Sequence, residues 1–442
     1  MVRNPAPSGR RRRRQSEIGN RKFPYHPFPV ASPPASAFPG VETRLATAVL
    51  IALSGLAPMS IDMFLPSMPQ MARDFDTSTG TVSLAVTLFI FSFAASQLVY
   101  GPASDRFGRR PVLLVGLSLF IAGGLFCLFA NSVGVLIAGR VLQGLGGGAG
   151  PAIANAIIVD VYRRERAHGI LAIMTVSVAL APMLSPIAGG FLHEIWGWRS
   201  VFVVLAGIGV VLAIAFAALI PETNTDRDAN ALNARGMASN YANLFSSRVY
   251  VTFAFVMAML FSGQLIFIST SSFVLVDDLG VSETNFGLSF GFVAAGIMVG
   301  ATISRRLAGR WPSRRIVLTA AVVGFGTAIV MASLALAGVA SLAAIVIPMF
   351  IIAGGNGMAR PAATAAALTE FPRTAGLASA VLGFSQMAIA SAYSVGFNLL
   401  VEPSPRTMTV AIAISASAAL LLLLAARPRP LAAQPQALAS EA

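Results

Sequence analysis

Apolar residues run along this chain in long blocks separated by short polar or basic stretches, with no strict alternation of the kind a half-buried strand would show. The blocks fall at approximately 45 to 65, 80 to 101, 111 to 130, 133 to 159, 168 to 192 and 200 to 220. After a polar stretch they resume at 250 to 273, 285 to 303, 316 to 338, 341 to 368, 375 to 400 and 407 to 425. Most hold about 20 residues, enough for a helix to cross about 30 Å of hydrocarbon. The intervening stretch from Pro221 to Arg248 (PETNTDRDANALNARGMASN) has no apolar period and reads as a linker. The expected fold is therefore an all-α integral membrane protein with twelve transmembrane helices in two six-helix halves. Its parts are a disordered Arg/Pro-rich tail at 1–42, an N-terminal bundle at 43–220, a cytoplasmic linker at 221–248, a C-terminal bundle at 249–426 and a disordered tail at 427–442.

Composition agrees. Of 442 residues, 56% are hydrophobic and 11% charged, against about 25% charged in soluble domains. The net charge of +13 would suit nucleic acid only on a soluble basic face, which this pattern removes. Position matters more than sum. With the N-terminus inside, 27 of the 31 basic residues fall on the inner side, and only Arg73, Arg199 and Arg406 fall outside, near Asp277, Asp278 and Glu283. The positive-inside rule then places both termini in the cytoplasm and the chain in the cell (inner) membrane. The first 42 residues carry eight prolines and the run Arg10 to Arg14, without the apolar core of a cleavable signal. The run is expected to be a solvated tail that reinforces orientation, or a contact for anionic lipid headgroups. Cys127 is the single cysteine and lies in an apolar block, so no disulfide forms within the chain.

The second-to-third connection, GPASDRFGRRPVLL, and the eighth-to-ninth, GATISRRLAGRWPSRRIVL, are both basic and Gly-containing, one in each half. Two similar bundles rocking about a site near the midplane are what an alternating-access transporter needs.

Two ionisable residues, Asp62 and Arg140, sit clearly within expected spans. A charge at a helix centre costs about 2.5 to 3.5 kcal/mol on insertion scales, so such positions are functional hypotheses. Ser54, Pro58 and Asp62 stack at intervals of four on one face, which is expected to line the cavity. A carboxyl group that alternates between dry and wetted settings can exchange a proton for a substrate; the alternative is a local cap near the outer end. Arg140 opens RVLQGLGGGAG, with Gln143 and Gly144 on its face, and Gly144 with Gly148 forms a small-residue stripe for close helix approach. Its guanidinium is expected to couple to a proton-carrying carboxylate or to substrate, or to be bonded to backbone carbonyls. In the second-to-third connection, Gly101 and Gly108 are expected to permit a tight inner turn, Asp105 to accept N–H bonds, and Arg106, Arg109 and Arg110 to anchor inside.

These segments resemble the major facilitator superfamily over residues 43 to 426. The connection matches its G-x-x-x-D-R-x-G-R-[RK] signature, and RVLQG its fourth-span R-x-x-Q-G signature. Within it, SIDMFLPSMPQM, ALAPMLSPIAGGFL, WGWRSVF and LIPET together look like the bicyclomycin-resistance type (Bcr/CflA) of drug:proton antiporter. The resemblance implies the major facilitator fold, with Asp105 locking the inward gate against a helix end of the other half. It also implies that Arg109 pairs with a carboxylate such as Asp160, that Arg140 couples to proton movement, and that Asp62 carries the proton or meets a cationic drug. Pro182, Pro186, Gly189 and Gly190 match the fifth-span antiporter stretch, although Ala181 and Ser185 stand where glycine is usual. Ser54 stands where some relatives carry a second carboxylate.

Gln264, Asn356, Gln386 and Tyr393 are further candidates for substrate contact, with inter-helix hydrogen bonding as the alternative. His168 and His193 lie at span ends on opposite sides without an HExxH pattern, so no metal site is expected. No Walker-type, DDxxD or GxGD pattern supports ATP drive or a membrane enzyme. The expected activity is export of small, mostly apolar drug-like compounds in exchange for protons, with no cofactor; the alternative is proton-coupled uptake of a small metabolite on the same fold. Expected partners are the cargo, protons and membrane lipids, with no nucleic acid, and the chain is expected to be monomeric.

Overall fold

The computed structural model describes residues 43–229, 231–232, 241–371 and 374–426. Both tails, with the Arg10 to Arg14 run, lie outside these residues. The described residues are all-helical and include twelve helices long and apolar enough to cross a membrane. The first six are α1 (Arg44–Asp74), α2 (Thr79–Phe107), α3 (Arg109–Leu128), α4 (Val133–Val161), α5 (Glu165–Trp196) and α6 (Arg199–Leu219). The second six are α7 (Arg248–Asp278), α8 (Glu283–Leu307), α9 (Ser313–Leu336), α10 (Leu342–Leu368), α11 (Ala375–Leu400) and α12 (Pro405–Ala425). The molecule has two ends: a basic end, carrying the α2–α3 turn and the stretch after α6, and a far end, where α1 stops and α2 starts.

Several helices outrun the apolar blocks that announced them. α1 is interrupted after Asp62 by a 3₁₀ turn at Leu65–Ser67 and resumes as Met68–Asp74. Pro66 and Pro69 cause the break, since each lacks an N–H for the helical ladder. α2 continues through Pro102 to Phe107, so Gly101 lies inside a helix and contributes no turn, contrary to expectation. The reversal belongs to Gly108 alone, whose φ of 105° is unfavourable for any residue with a side chain. α7 ends in a π-helical turn at Phe273–Asp278, which brings Asp277 and Asp278 into the span. At the far end, α2, α4, α8, α10 and α12 each begin with a serine whose hydroxyl accepts a backbone N–H: Ser78, Ser132, Ser282, Ser341 and Ser404. These caps satisfy donors that hydrocarbon would leave unpaired.

Packing repeats with an offset of six helices. α2 packs on α4 as α8 does on α10, α3 on α4 as α9 on α10, α1 on α5 as α7 on α11, and α3 on α6 as α9 on α12. The bundles meet along two seams, α5 with α8 and α2 with α11, which the same pseudo-twofold relation exchanges. Side chains such as Val211, Ile214, Val330 and Leu421 stay exposed on the perimeter, where lipid replaces water.

Candidate functional site

Arg140 lies on α4 seven residues, about 10 Å, from the far end. Its side chain is fully buried. One nitrogen, Nη1, donates to Ser60 Oγ on α1 at 2.9 Å and to Gln143 Oε1 one turn on at 2.7 Å. The guanidinium carbon sits 4.4 Å from the ring centre of Phe64 and 4.1 Å from that of Phe89. Such desolvated cation–π contacts are each worth about 2 kcal/mol. Nε and Nη2 have no hydrogen-bond partner, and each unsatisfied buried donor costs about 1–3 kcal/mol. The cluster is therefore half-coordinated, with two nitrogens and their three N–H groups available to an acceptor.

Asp62, 4% exposed, is the buried acid of the first half and stands where the α1 helix breaks. It lies two residues beyond Ser60, the partner of Arg140 on α1, yet forms no ion pair with Arg140 within 4.0 Å. Ser54, two turns earlier on the Asp62 face, donates to Met174 Sδ of α5 at 2.9 Å, so this face of α1 looks toward α5 while Ser60 looks toward α4. Gly144 lets α4 close on α2: a Cβ there would strike the Ser92 hydroxyl and the Phe89 carbonyl.

The polar contacts between halves gather toward the far end. Arg73 of α1 pairs with Asp277 of α7 at 2.8 Å, and His193 Nε2 of α5 stands 3.7 Å from Glu283 of α8. The Thr284 N–H donates to Glu194 at 3.2 Å, Ser83 donates to the Ser269 carbonyl at 2.8 Å, and the Thr87 and Ser394 hydroxyls meet at 3.0 Å. Gly189 and Gly190 lie inside this seal, one against the Met63 carbonyl and the other against the backbone of Glu283 and Thr284. The Pro186 carbonyl lies against Gly287 of α8, and Pro182 and Pro186 are both accommodated inside the α5 helix. Ser185 is buried in the same stretch.

At the basic end the network stays within one half. Arg109 Nε donates to Asp160 Oδ2 at 3.1 Å and Nη1 to Ser104 Oγ at 2.6 Å and to Asp105. Asp105 thus meets Arg109 and not, as the resemblance implied, a helix end in the other half. Its backbone carbonyl accepts from Asn224 Nδ2 at 2.8 Å and from the Asp228 N–H at 3.2 Å. Glu222 accepts from the Arg109 and Arg110 N–H groups at 2.8 and 3.1 Å, placing a carboxylate on the positive N-terminus of α3. Arg110 Nη2 donates to the Ala217 carbonyl at the end of α6 at 2.7 Å, and Arg106 lies over the Phe107 ring.

Among the second-half candidates, Asn356 Nδ2 donates to Gln264 Oε1 at 3.0 Å and to the Leu260 carbonyl at 3.2 Å, joining α10 to α7. Gln386 is buried on α11 and bonds to neither. Tyr393 points away, donating to the Ala411 carbonyl of α12 at 2.7 Å beside an apolar cavity of about 510 Å³ that Leu336, Phe397 and Ile414 also line. Arg360, counted from sequence among inner-side residues, lies within α10, eight residues from its end. Sequence reasoning also missed Ser60, Phe64, Phe89, Glu222 and Asn224, whose roles depend on contacts between helices distant in sequence. The SIDMF and LIPET segments were the available signal for three of them.

A family model described as Major Facilitator Superfamily matches residues 50–396. The chain is 31% identical over 366 residues to the MFS-type transporter YdgK of Bacillus subtilis, covering 81% of this chain and 90% of that protein. It is 28% identical to multidrug resistance protein D of Escherichia coli K12, over 76% and 84% of the two chains. It is 27% identical to a bicyclomycin resistance protein homolog of Haemophilus influenzae, over 77% and 85%. A crystal structure of a D-xylose–proton symporter superposes with a TM-score of 0.69 at 16% identity, covering 86% of this chain and 97% of that one. A peptide transporter POT in complex with sulfate superposes at 0.70 and 15%, covering 88% and 96%. Two six-helix bundles related by a repeat, a basic-end network around Asp105 and Arg109, and an intramembrane arginine followed by Gln143 and Gly144 agree with these matches: the chain belongs to the Major Facilitator Superfamily.

Proposed function

We propose that this transporter exports small, mostly apolar compounds from the cytoplasm in exchange for protons by alternating access, with the basic end cytoplasmic. The half-coordinated Arg140 beside an unpaired Asp62 carries the reading. A proton on Asp62 removes its demand for a cation. Its loss leaves a carboxylate whose best available partner is the pair of free nitrogens on Arg140, which would draw the α1 break toward α4. Because α1 also packs on α5 and Gly189 of α5 rests on Met63, that movement reaches the far-end seal. Multidrug and bicyclomycin resistance proteins among the relatives support efflux as the direction. The proton gradient is the energy source in this reading, with no cofactor.

The test is expression in an exporter-deficient host over a drug panel, comparing wild type with Asp62→Asn and Arg140→Ala at equal protein levels. Both variants should lose resistance. Equal resistance from all three chains would remove the assignment. Accumulation separates export from uptake: an exporter lowers cellular content until a protonophore is added, whereas an importer raises it.

A further inference from the structure

Arg360 is exposed although it lies inside α10, eight residues and about 12 Å from the basic end. Its neighbours Met358, Ala359, Ala362 and Ala363 are buried. The direction of the side chain follows from two contacts one turn earlier. Asn356 faces α7 at Leu260 and Gln264, and Gly357 faces Ile297 of α8. Arg360 projects between those two helices, and both also touch the first half, α7 at α2 and α8 at α5. Exposed Ile351, nine residues or two and a half turns away, marks the opposite side of α10. Arg360 therefore looks into the space between the halves, and Ile351 looks outward to lipid.

Among the described residues Arg360 has no hydrogen bond or ion pair. Other arginines near helix ends are docked: Arg314 on the Leu423 and Ala426 carbonyls, Arg199 on the Ala130 carbonyl, Arg315 over Trp311. The acids of the second half, Asp277, Asp278, Glu283, Glu370 and Glu402, sit at or beyond helix ends. Among the described residues of the second bundle, Arg360 is thus the one charge more than two turns from a helix end. Beside it, Asn356 spends both amide hydrogens on α7, leaving the Gln264 amide N–H₂ free to donate. An intramembrane cation without a counter-charge is costly and points to a ligand that supplies one. The planar guanidinium fork matches the two oxygens of a carboxylate or sulfonate.

We propose that Arg360, with Gln264 as a neutral second donor, anchors the anionic group of amphiphilic organic acids and zwitterions, which makes such compounds cargo of this transporter. The inference rests on the transporter reading for the word cargo, while the binding site itself stands apart from export or coupling. Asp62 and Arg140 are sealed toward the far end, so a compound arriving from the basic end meets Arg360 first.

The experiment uses the purified full-length protein in lipid nanodiscs and three probes of one shape: radiolabelled 4-pentylbenzoate, its methyl ester and 4-pentylbenzylammonium. Equilibrium binding is measured for wild type, Arg360→Lys and Arg360→Ala, with thermal unfolding to confirm that each variant is folded. Wild type should bind the carboxylate, Arg360→Ala should weaken it about tenfold or more while keeping the ester, and Arg360→Lys should fall between. Equal loss of all three probes in Arg360→Ala, no carboxylate binding by wild type, or unchanged carboxylate binding in Arg360→Ala would each overturn the site. Transport of the same probes into inverted vesicles is scored separately. If wild type binds the benzoate yet moves no probe in either direction, the transporter reading fails and the binding site survives. If Arg360→Ala stops transport of all three probes and binds the benzoate as wild type does, Arg360 belongs to a gate and the proposal is lost.

Discussion

The two halves share a helix-packing scheme and differ in their polar chemistry. Arg110 reaches the Ala217 carbonyl at the end of α6, and Arg314 reaches the Leu423 and Ala426 carbonyls at the end of α12, the same stitch made twice. The connections beside these stitches each hold a glycine at positive φ, Gly108 at 105° and Gly309 at 79°, although the first is that one residue and the second runs from Ala308 to Pro312. Only the first turn carries acids. Asp105, Asp160 and Glu222 gather around Arg109 there, whereas Arg310 in the second turn is exposed and unpaired among the described residues. The repeat supplies a scaffold, and the acids stand in one copy of it. A rocking pair needs matched shapes for its two seams, and that need does not extend to the charges at the ends of its helices.

That asymmetry is open to test. The largest difference should come from paired substitutions, Arg109→Ala and Arg310→Ala. Removing Arg109 takes charge-assisted bonds from two carboxylates and should destabilise the protein by about 2 kcal/mol, discounted because Asp105 is half exposed. Arg310→Ala should stay within about 0.5 kcal/mol. Thermal unfolding in detergent reads both, and drug resistance should fall only for the first. Equal shifts would erase the distinction between the turns.

An effect of similar size is expected at the far end. Gly189→Val would put a side chain on the Met63 carbonyl and should cost about 1–3 kcal/mol of overpacking in the sealed arrangement. A cysteine introduced by Ser269→Cys, with Cys127→Ser to remove the native thiol, should then become reactive toward a membrane-impermeant maleimide. Unchanged protection would mean that α5 does not hold this seal. The smallest effect belongs to the Arg73–Asp277 pair, 60% and 36% exposed. A double-mutant cycle with Arg73→Ala and Asp277→Ala should yield a coupling of about 0.2–1 kcal/mol that fades with added salt.

Much of this architecture could be read from the chain, because a helix crossing lipid needs a long apolar run and little else does. The ends of the helices could not. Pro102, Ser104 and Asp105 look like loop residues, yet α2 carries them in helical form to Phe107, since a polar helix end needs only water or a neighbouring carboxylate beside it. Within the site, the Arg140–Gln143 bond was visible as a three-residue spacing on one helix. Ser60, Phe64 and Phe89 were not, because they complete the cluster from other helices, and that information resides in packing. Arg360 escaped for another reason: the expected block at 341 to 368 already contained it, but a count of charges by side grouped it with Arg373 among the inner residues.

The carboxylate of Glu222 and the amide of Asn224 have a consequence for how the protein is made. Every partner in the Arg109 network lies between Ser104 and Asp228, ahead of Arg248, where α7 begins. During synthesis the chain can therefore fasten its first bundle before the seventh helix has left the ribosome. The second bundle then inserts against a finished partner, and the stretch after α6 serves the nascent chain as a clasp before it serves the mature protein as a connection.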